Sequence, residues 1–155
     1  MKRLGLFLLA VVTVAGMAAC GVNTFALKGS STSPRDELYT CAVRQLQAMD
    51  YEIGHEDRSA GLVRGQKFTA GWWQLKYGFW GGNTYDGISV TVVDGQDGAP
   101  CMVHASGETY VVPGNSSANG VKSHHQPSNQ VQTDIDALLS MCKVGDINAG
   151  TTPKN

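Results

Sequence analysis

The sequence predicts a two-layer α+β sandwich, with an antiparallel sheet of four or five strands and two helices on one face. Three observations predict it. Apolar residues recur at helical spacing near each end of the mature chain, and between those segments apolar and polar residues alternate. Nineteen glycines in 155 residues supply turns along the way. An antiparallel sheet with one apolar face needs a cover, and two amphipathic helices provide one.

The first helix is expected from about Arg35 to Met49. Ser33 is placed as an N-cap, Pro34 as the first helical residue and Asp36 as the partner in a capping-box-like pair. Leu38, Ala42, Leu46 and Met49 form its apolar stripe, with Cys41 beside them. Tyr51 and Ile53 begin a short strand. Glu56-Asp57-Arg58-Ser59 is a turn, and Leu62 and Val63 open a second strand loosened by Gly61 and Gly65.

The clearest strand signal follows. Ile88, Val90 and Val92 alternate with Ser89 and Thr91, and Cys101, Val103 and Ala105 alternate with Met102, His104 and Ser106. Asp94 to Gly98 makes the hairpin turn between them. Residues 113–129 read as a mobile polar loop. Val131, Ile135, Leu138, Leu139 and Cys142 then mark a second amphipathic helix capped near Ser128 or Asn129. Gly145 ends the domain of residues 35–145, and 146–155 reads as a frayed tail.

All three tryptophans fall in Gly71–Gly82, GWWQLKYGFWGG. Read as a strand, this stretch points Trp73, Leu75, Tyr77 and Phe79 one way and Trp72, Gln74, Lys76 and Trp80 the other. The first set suits a core. The second leaves Trp72 and Trp80 beside Lys76 as a contact surface, since exposed tryptophans favour interfaces and sugar stacking.

The first nineteen residues have the layout of a secretory signal. Lys2 and Arg3 precede an apolar run from Leu4 to Val14, and Ala15, Gly16, Ala18 and Ala19 supply small residues. The tetrapeptide Met17-Ala18-Ala19-Cys20 resembles the lipobox of bacterial lipoproteins, with Met where Leu is usual. The resemblance implies that Cys20 is lipidated and becomes the mature N-terminus. It also implies that Gly21 directs export to the outer membrane, facing the periplasm. Cleavage removes Lys2 and Arg3 and takes the formal charge from −1 to −3, so the lipid rather than a polybasic patch holds the membrane. Residues 20–34, rich in Gly, Ser and Thr, read as a flexible tether. The stretch from Leu46 to Lys67, with Asp57-Arg58-x-x-Gly61, resembles the opening of small uncharacterised bacterial envelope lipoproteins, with Asp50 where their pattern has Gly. That resemblance implies an envelope location and brings no activity.

Cys41, Cys101 and Cys142 remain after lipidation. Helix phase favours a Cys41–Cys142 disulfide. Cys101 with Cys142 is the alternative, and three buried small hydrophobes is another. No zinc spacing, Gly-x-Ser-x-Gly, P-loop or dinucleotide motif occurs. His55, His104, His124 and His125 read as solvated or satisfied residues rather than ligands. No metal, cofactor or catalysis is identified. Mixed charge without a basic face argues against nucleic acid. The expected function is a structural or protein-interaction role in the envelope, with an envelope protein or peptidoglycan as partner. The alternative is a glycan or small-ligand module using residues 72–80.

Overall fold

The strands with the clearest alternation form the centre of the sheet. In the computed structural model, which describes residues 24–69, 83–112 and 123–149, β4 (Asn83–Val93) pairs antiparallel with β5 (Cys101–Val112). Asn83 faces Val112 and Val93 faces Met102. On the far side of β4 lie β3 (Leu62–Thr69) and then β2 (Glu52–Asp57). The other side of β5 carries β1 (Phe25–Ser31) opposite Cys101–Gly107 and the short β6 (Ser123–His125) opposite Thr109–Val111. Beyond β1 lies β7 (Gly145–Ala149). The described residues thus form one seven-stranded antiparallel sheet, with the path β2-β3-β4-β5-β1-β7 and β6 on β5.

Two helices cover one face. Helix α1 (Arg35–Ala48) lies over β2, β3 and β4, and α2 (Asn129–Met141) lies over β4, β5 and β1. The core joins Leu38, Ala42 and Leu46 of α1 and Val131, Ile135, Leu138 and Leu139 of α2 to Val63, Ile88, Val90, Val92, Val103 and Ala105 of the sheet. Each such Leu, Ile or Val contributes about 1.5–3 kcal/mol when fully buried. The close approach of α2 depends on Gly107. A side chain there would collide with Val131 and reach within 2.8 Å of Ile135 Cδ1.

The class is α+β, but the sheet exceeds the expected four or five strands. Part of the expected tether forms β1, part of the expected loop forms β6, and the expected tail begins with β7. These strands are recruited by backbone pairing with β5 and with each other. Leu27 is the main apolar side chain that β1 buries, so composition hides the strand. The cap of α1 also differs from expectation. Pro34 occupies the N-cap position and no side chain caps the helix, while the Ser33 amide donates to Ser31 Oγ at 3.3 Å. Ser33 stands one residue too early to serve the first turn. At α2, Ser128 is the cap, its Oγ accepting from the Val131 amide at 3.1 Å.

Both helices end in the same motif. The Tyr51 amide donates to the Leu46 carbonyl and the Asp50 amide to Gln47, while Val144 donates to Leu139 and Lys143 to Ser140. This is the Schellman pattern, which needs a left-handed residue after the C-cap. Asp50 (φ 63°) and Lys143 (φ 56°) fill that position. Glycine is the ordinary occupant of this position, because it has no Cβ to clash there.

The Asp57-Arg58-x-x-Gly61 motif shapes the β2–β3 turn. Asp57 Oδ1 accepts from Ser59 Oγ at 2.6 Å and from the Ala60 amide at 2.9 Å, bonds that hold its carboxyl below the usual range. Gly61 has φ 67° and abuts the Val92 carbonyl, where any side chain would collide. Arg35 stitches the turn down, donating to the carbonyls of Arg58 (3.1 Å), Ser59 (2.6 Å) and Val92 (3.3 Å). Within the helical layer, Cys41 of α1 and Cys142, the C-cap of α2, form a disulfide with Cα atoms 5.8 Å apart. The Cys101–Cys142 alternative falls. Cys101 is a free thiol, its Sγ 3.9 Å from Asp94 Oδ1.

Candidate functional site

Strand alternation gives the sheet a second face, away from the helices. Because β4 turns Ile88, Val90 and Val92 into the core, it turns Tyr85, Gly87, Ser89 and Thr91 outward. On β5 the outward set is His104, Ser106, Glu108 and Tyr110, and on β3 it is Arg64, Gln66 and Phe68. Register brings these residues into rows. Gln66, Gly87 and Glu108 form one, and Arg64, Ser89 and Ser106 the next.

One row is aromatic. Phe68 meets Tyr85 edge-on with centroids 5.8 Å apart, Tyr85 stacks on Tyr110 at 5.6 Å, and Tyr110 lies 6.1 Å from the His124 ring. Phe68 is 52% exposed, while Tyr110 is only 4% exposed. The Tyr110 hydroxyl donates to Gln66 Oε1 at 3.0 Å. Burial, then the nearby Glu108 and Tyr85, push its pKa up, so it remains a neutral donor. Glu108 is itself paired with His124 Nδ1 at 3.1 Å.

Beside this row the face dips into a depression of about 200 Å³, lined by Arg64, Gln66, Gly87, Ser89, Glu108 and Tyr110 among others. Gly87 creates it. A Cβ there would fill the gap at 3.3 Å from Glu108 Cγ and 3.5 Å from Tyr110 Cε1. The arrangement offers a cation, a carboxylate, amide and hydroxyl groups, and ring faces. It can hold a polar ligand or a protein surface by hydrogen bonds and stacking.

The buried polar groups under the helices serve the fold. Asp86, 2% exposed, accepts from Thr109 Oγ1 at 2.6 Å and Ser128 Oγ at 2.9 Å. Asp134 accepts from the Tyr51 hydroxyl at 3.0 Å and Gln130 Nε2 at 2.7 Å. Burial first, and then Asp134, raise the Tyr51 pKa strongly, so its hydroxyl stays protonated as the donor. Among the described residues no group of three or more His, Cys, Asp or Glu is arranged to hold a metal ion.

The expected contact residues Trp72, Lys76 and Trp80, and Cys20 at the expected lipidation point, lie outside the described residues. The tryptophan stretch falls in the connection between Thr69, which ends β3 and pairs with Thr84, and Asn83, which begins β4. Of the histidines, His124 joins the aromatic row, His104 stands outward on β5 opposite Lys28, and His55 is exposed on β2 opposite Arg64. Sequence reasoning missed Arg64, Glu108 and Tyr110 as neighbours. The available signal was the polar half of the alternation, Tyr85-x-Gly87-x-Ser89-x-Thr91 against His104-x-Ser106-x-Glu108-x-Tyr110.

No family model matches this chain, and no curated protein matches it. Among solved structures it is similar to a DUF4468 family protein from Bacteroides ovatus ATCC 8483. The TM-score is 0.40 at 10% identity, over 85% of this chain and 89% of that one.

Proposed function

We propose that this chain is a lipid-anchored envelope protein with a structural or protein-interaction role, presenting the outward face of its sheet to a partner. The observation that carries this reading is the asymmetry of the sheet. The helices cover one face, and the other carries an aromatic row and a depression edged by charged groups. The Cys41–Cys142 disulfide supports residence in an oxidising compartment. The lipobox-like segment ending at Cys20 supports a lipid anchor in the outer membrane.

The test is photo-crosslinking in cells from Ser89 and Ser106 on the outward face, and from Asp136 on the exposed side of α2. The first two should capture one common envelope protein and Asp136 should not. Silence from both outward positions, or capture from Asp136 alone, defeats the reading. Cys20→Ser should leave an unprocessed or soluble form, and a processed, membrane-bound variant would refute the anchor.

The second reading is a glycan or small-ligand module, peptidoglycan included. The aromatic row bordering the depression favours it. Trp72→Ala and Trp80→Ala proteins that melt as the wild type but no longer sediment with peptidoglycan would support that reading over the first.

A further inference from the structure

The point at which the chain enters the sheet limits how an anchored domain can stand on a membrane. β1 begins at Phe25, five residues after Cys20. A chain spans at most about 3.6 Å per residue, so Phe25 lies within about 18 Å of Cys20 whatever path the link takes. β1 runs antiparallel to β5, with Phe25 opposite Gly107 and Ser31 opposite Cys101. The chain therefore enters from the side on which Tyr110 and Val112 stand. The aromatic row lies about 10 Å beyond Gly107 on that side, at about 3.4 Å per residue. In the other direction β5 starts about 20 Å from Gly107, with the turn from Asp94 to Pro100 beyond it. A domain standing on its hairpin end would hold Phe25 farther from lipid than the link can reach.

The two ends of the sheet also differ in polarity. At the hairpin end, residues 35–37, 56–58 and 94–97 carry six carboxylates against Arg35 and Arg58. Contacts from Arg35 to Asp94 and from Arg58 to Asp36 hold these segments together. At the aromatic end, residues 68–69, 83–85, 110–112 and 123–133 contain no Asp, Glu, Lys or Arg. Glu52 and Glu108 stand one row back, in register with Gln66 and Gly87. Lys67 is turned to the helical side, donating to the Met49 carbonyl at 2.8 Å, and Asp50 lies on that side too. Phe68 is exposed at the edge of this end, beside Tyr85. An uncharged surface loses little when headgroups displace its water, and aromatic rings favour the headgroup layer.

We propose that the anchored domain stands end-on, with the aromatic end against the phospholipid headgroups and Phe68 entering the interface. This rests on the reading of Cys20 as the lipid anchor. The strands then rise from the membrane, the acidic hairpin end points away from it, and the outward face remains open to a partner.

The test uses the lipidated mature protein in phosphatidylcholine vesicles carrying an energy acceptor on headgroups. In a Cys101→Ser background, a donor dye is attached through Asn83→Cys, Ser106→Cys or Gln96→Cys. Asn83 and Gln96 are separated by at least about 34 Å along β4, so transfer from Asn83 should exceed that from Gln96 roughly twofold or more, with Ser106 between them. Phe68→Ser should bring the ratio towards one at unchanged melting temperature. The ratio should persist from about 0.15 M to about 1 M salt, because the contact carries no net charge to screen. Equal transfer from the three positions, greatest transfer from Ser106 or Gln96, or a ratio that Phe68→Ser leaves unmoved overturns the proposal. Loss of the ratio in high salt overturns it in favour of an orientation held by charge. If the protein floats with the vesicles while transfer is equal, the anchor stands and only the orientation falls. If the purified chain carries no lipid and stays off the vesicles, the anchor and the proposal fall together.

Discussion

Asp86, on the central strand β4, accepts a 2.9 Å hydrogen bond from the side chain of Ser128, the residue that caps α2. The same carboxylate accepts from Thr109 at 2.6 Å, and Thr109 Oγ1 receives the Ser128 amide at 3.0 Å. One buried acid therefore ties the start of the second helix to two adjacent strands. Asp86→Ala leaves two hydroxyls without their charged acceptor and should cost about 3 kcal/mol, since bonds to charged groups contribute about 1.5–3 kcal/mol each. Ser128→Ala should cost less, about 1 kcal/mol for the cap, and the double variant should cost less than the sum. Urea denaturation of the four proteins measures this coupling, and strictly additive losses would contradict it.

The left-handed residues after the helices predict stabilising substitutions. Asp50→Gly and Lys143→Gly relieve a conformation that costs an L-residue about 1–2 kcal/mol, offset in part by the greater freedom of glycine when unfolded. Each should raise stability by about 0.5 kcal/mol or more, seen as a higher denaturation midpoint at unchanged slope. Asp50→Val should move it the other way, because a branched side chain tolerates this backbone poorly.

The disulfide spans a sequence separation of 101 residues. In the chain-entropy model a loop of that length is worth about 4–5 kcal/mol. Reduction, or Cys41→Ser with Cys142→Ser, should lower stability by that order. Non-reducing peptide mapping should recover Cys41 joined to Cys142 and Cys101 alkylated. Finding Cys142 linked to Cys101 instead would refute the assignment.

Burial, with a further contribution from Lys28 across the strand, lowers the pKa of His104 below its ordinary value near 6.5. The folded protein therefore binds this proton less readily than the unfolded chain does. His104 leaves stability untouched above the unfolded pKa, and stability falls as the pH drops through the unfolded and then the folded value. An NMR titration of the ring should give a midpoint below 6.5, and Lys28→Ala should raise it. A midpoint unmoved by that substitution would remove Lys28 as a cause.

Two features of this protein could be read without coordinates because each depends only on neighbours along the chain. The spacing of Leu38, Ala42 and Leu46, and of Val131, Ile135 and Leu138, determined both helices and their buried sides. The alternation of Ile88, Val90 and Val92 against Ser89 and Thr91 determined the central hairpin and which residues faced inward. Helix phase favoured Cys41 with Cys142 but left Cys101 open, and the tertiary structure decided between them. The rest depended on what lay across the sheet. Strands β1, β6 and β7 exist because β5 and its neighbours offer unpaired backbone along an edge, and pairing backbone leaves almost no mark on composition. Asp86 sits among apolar residues because Thr109 and Ser128 arrive from 23 and 42 residues away to satisfy it. The outward face gathers Lys28, Arg64, Glu108 and Tyr110 from three strands. Periodicity is local and says which way a side chain turns, whereas register is set between distant segments, and register alone decides which side chains meet.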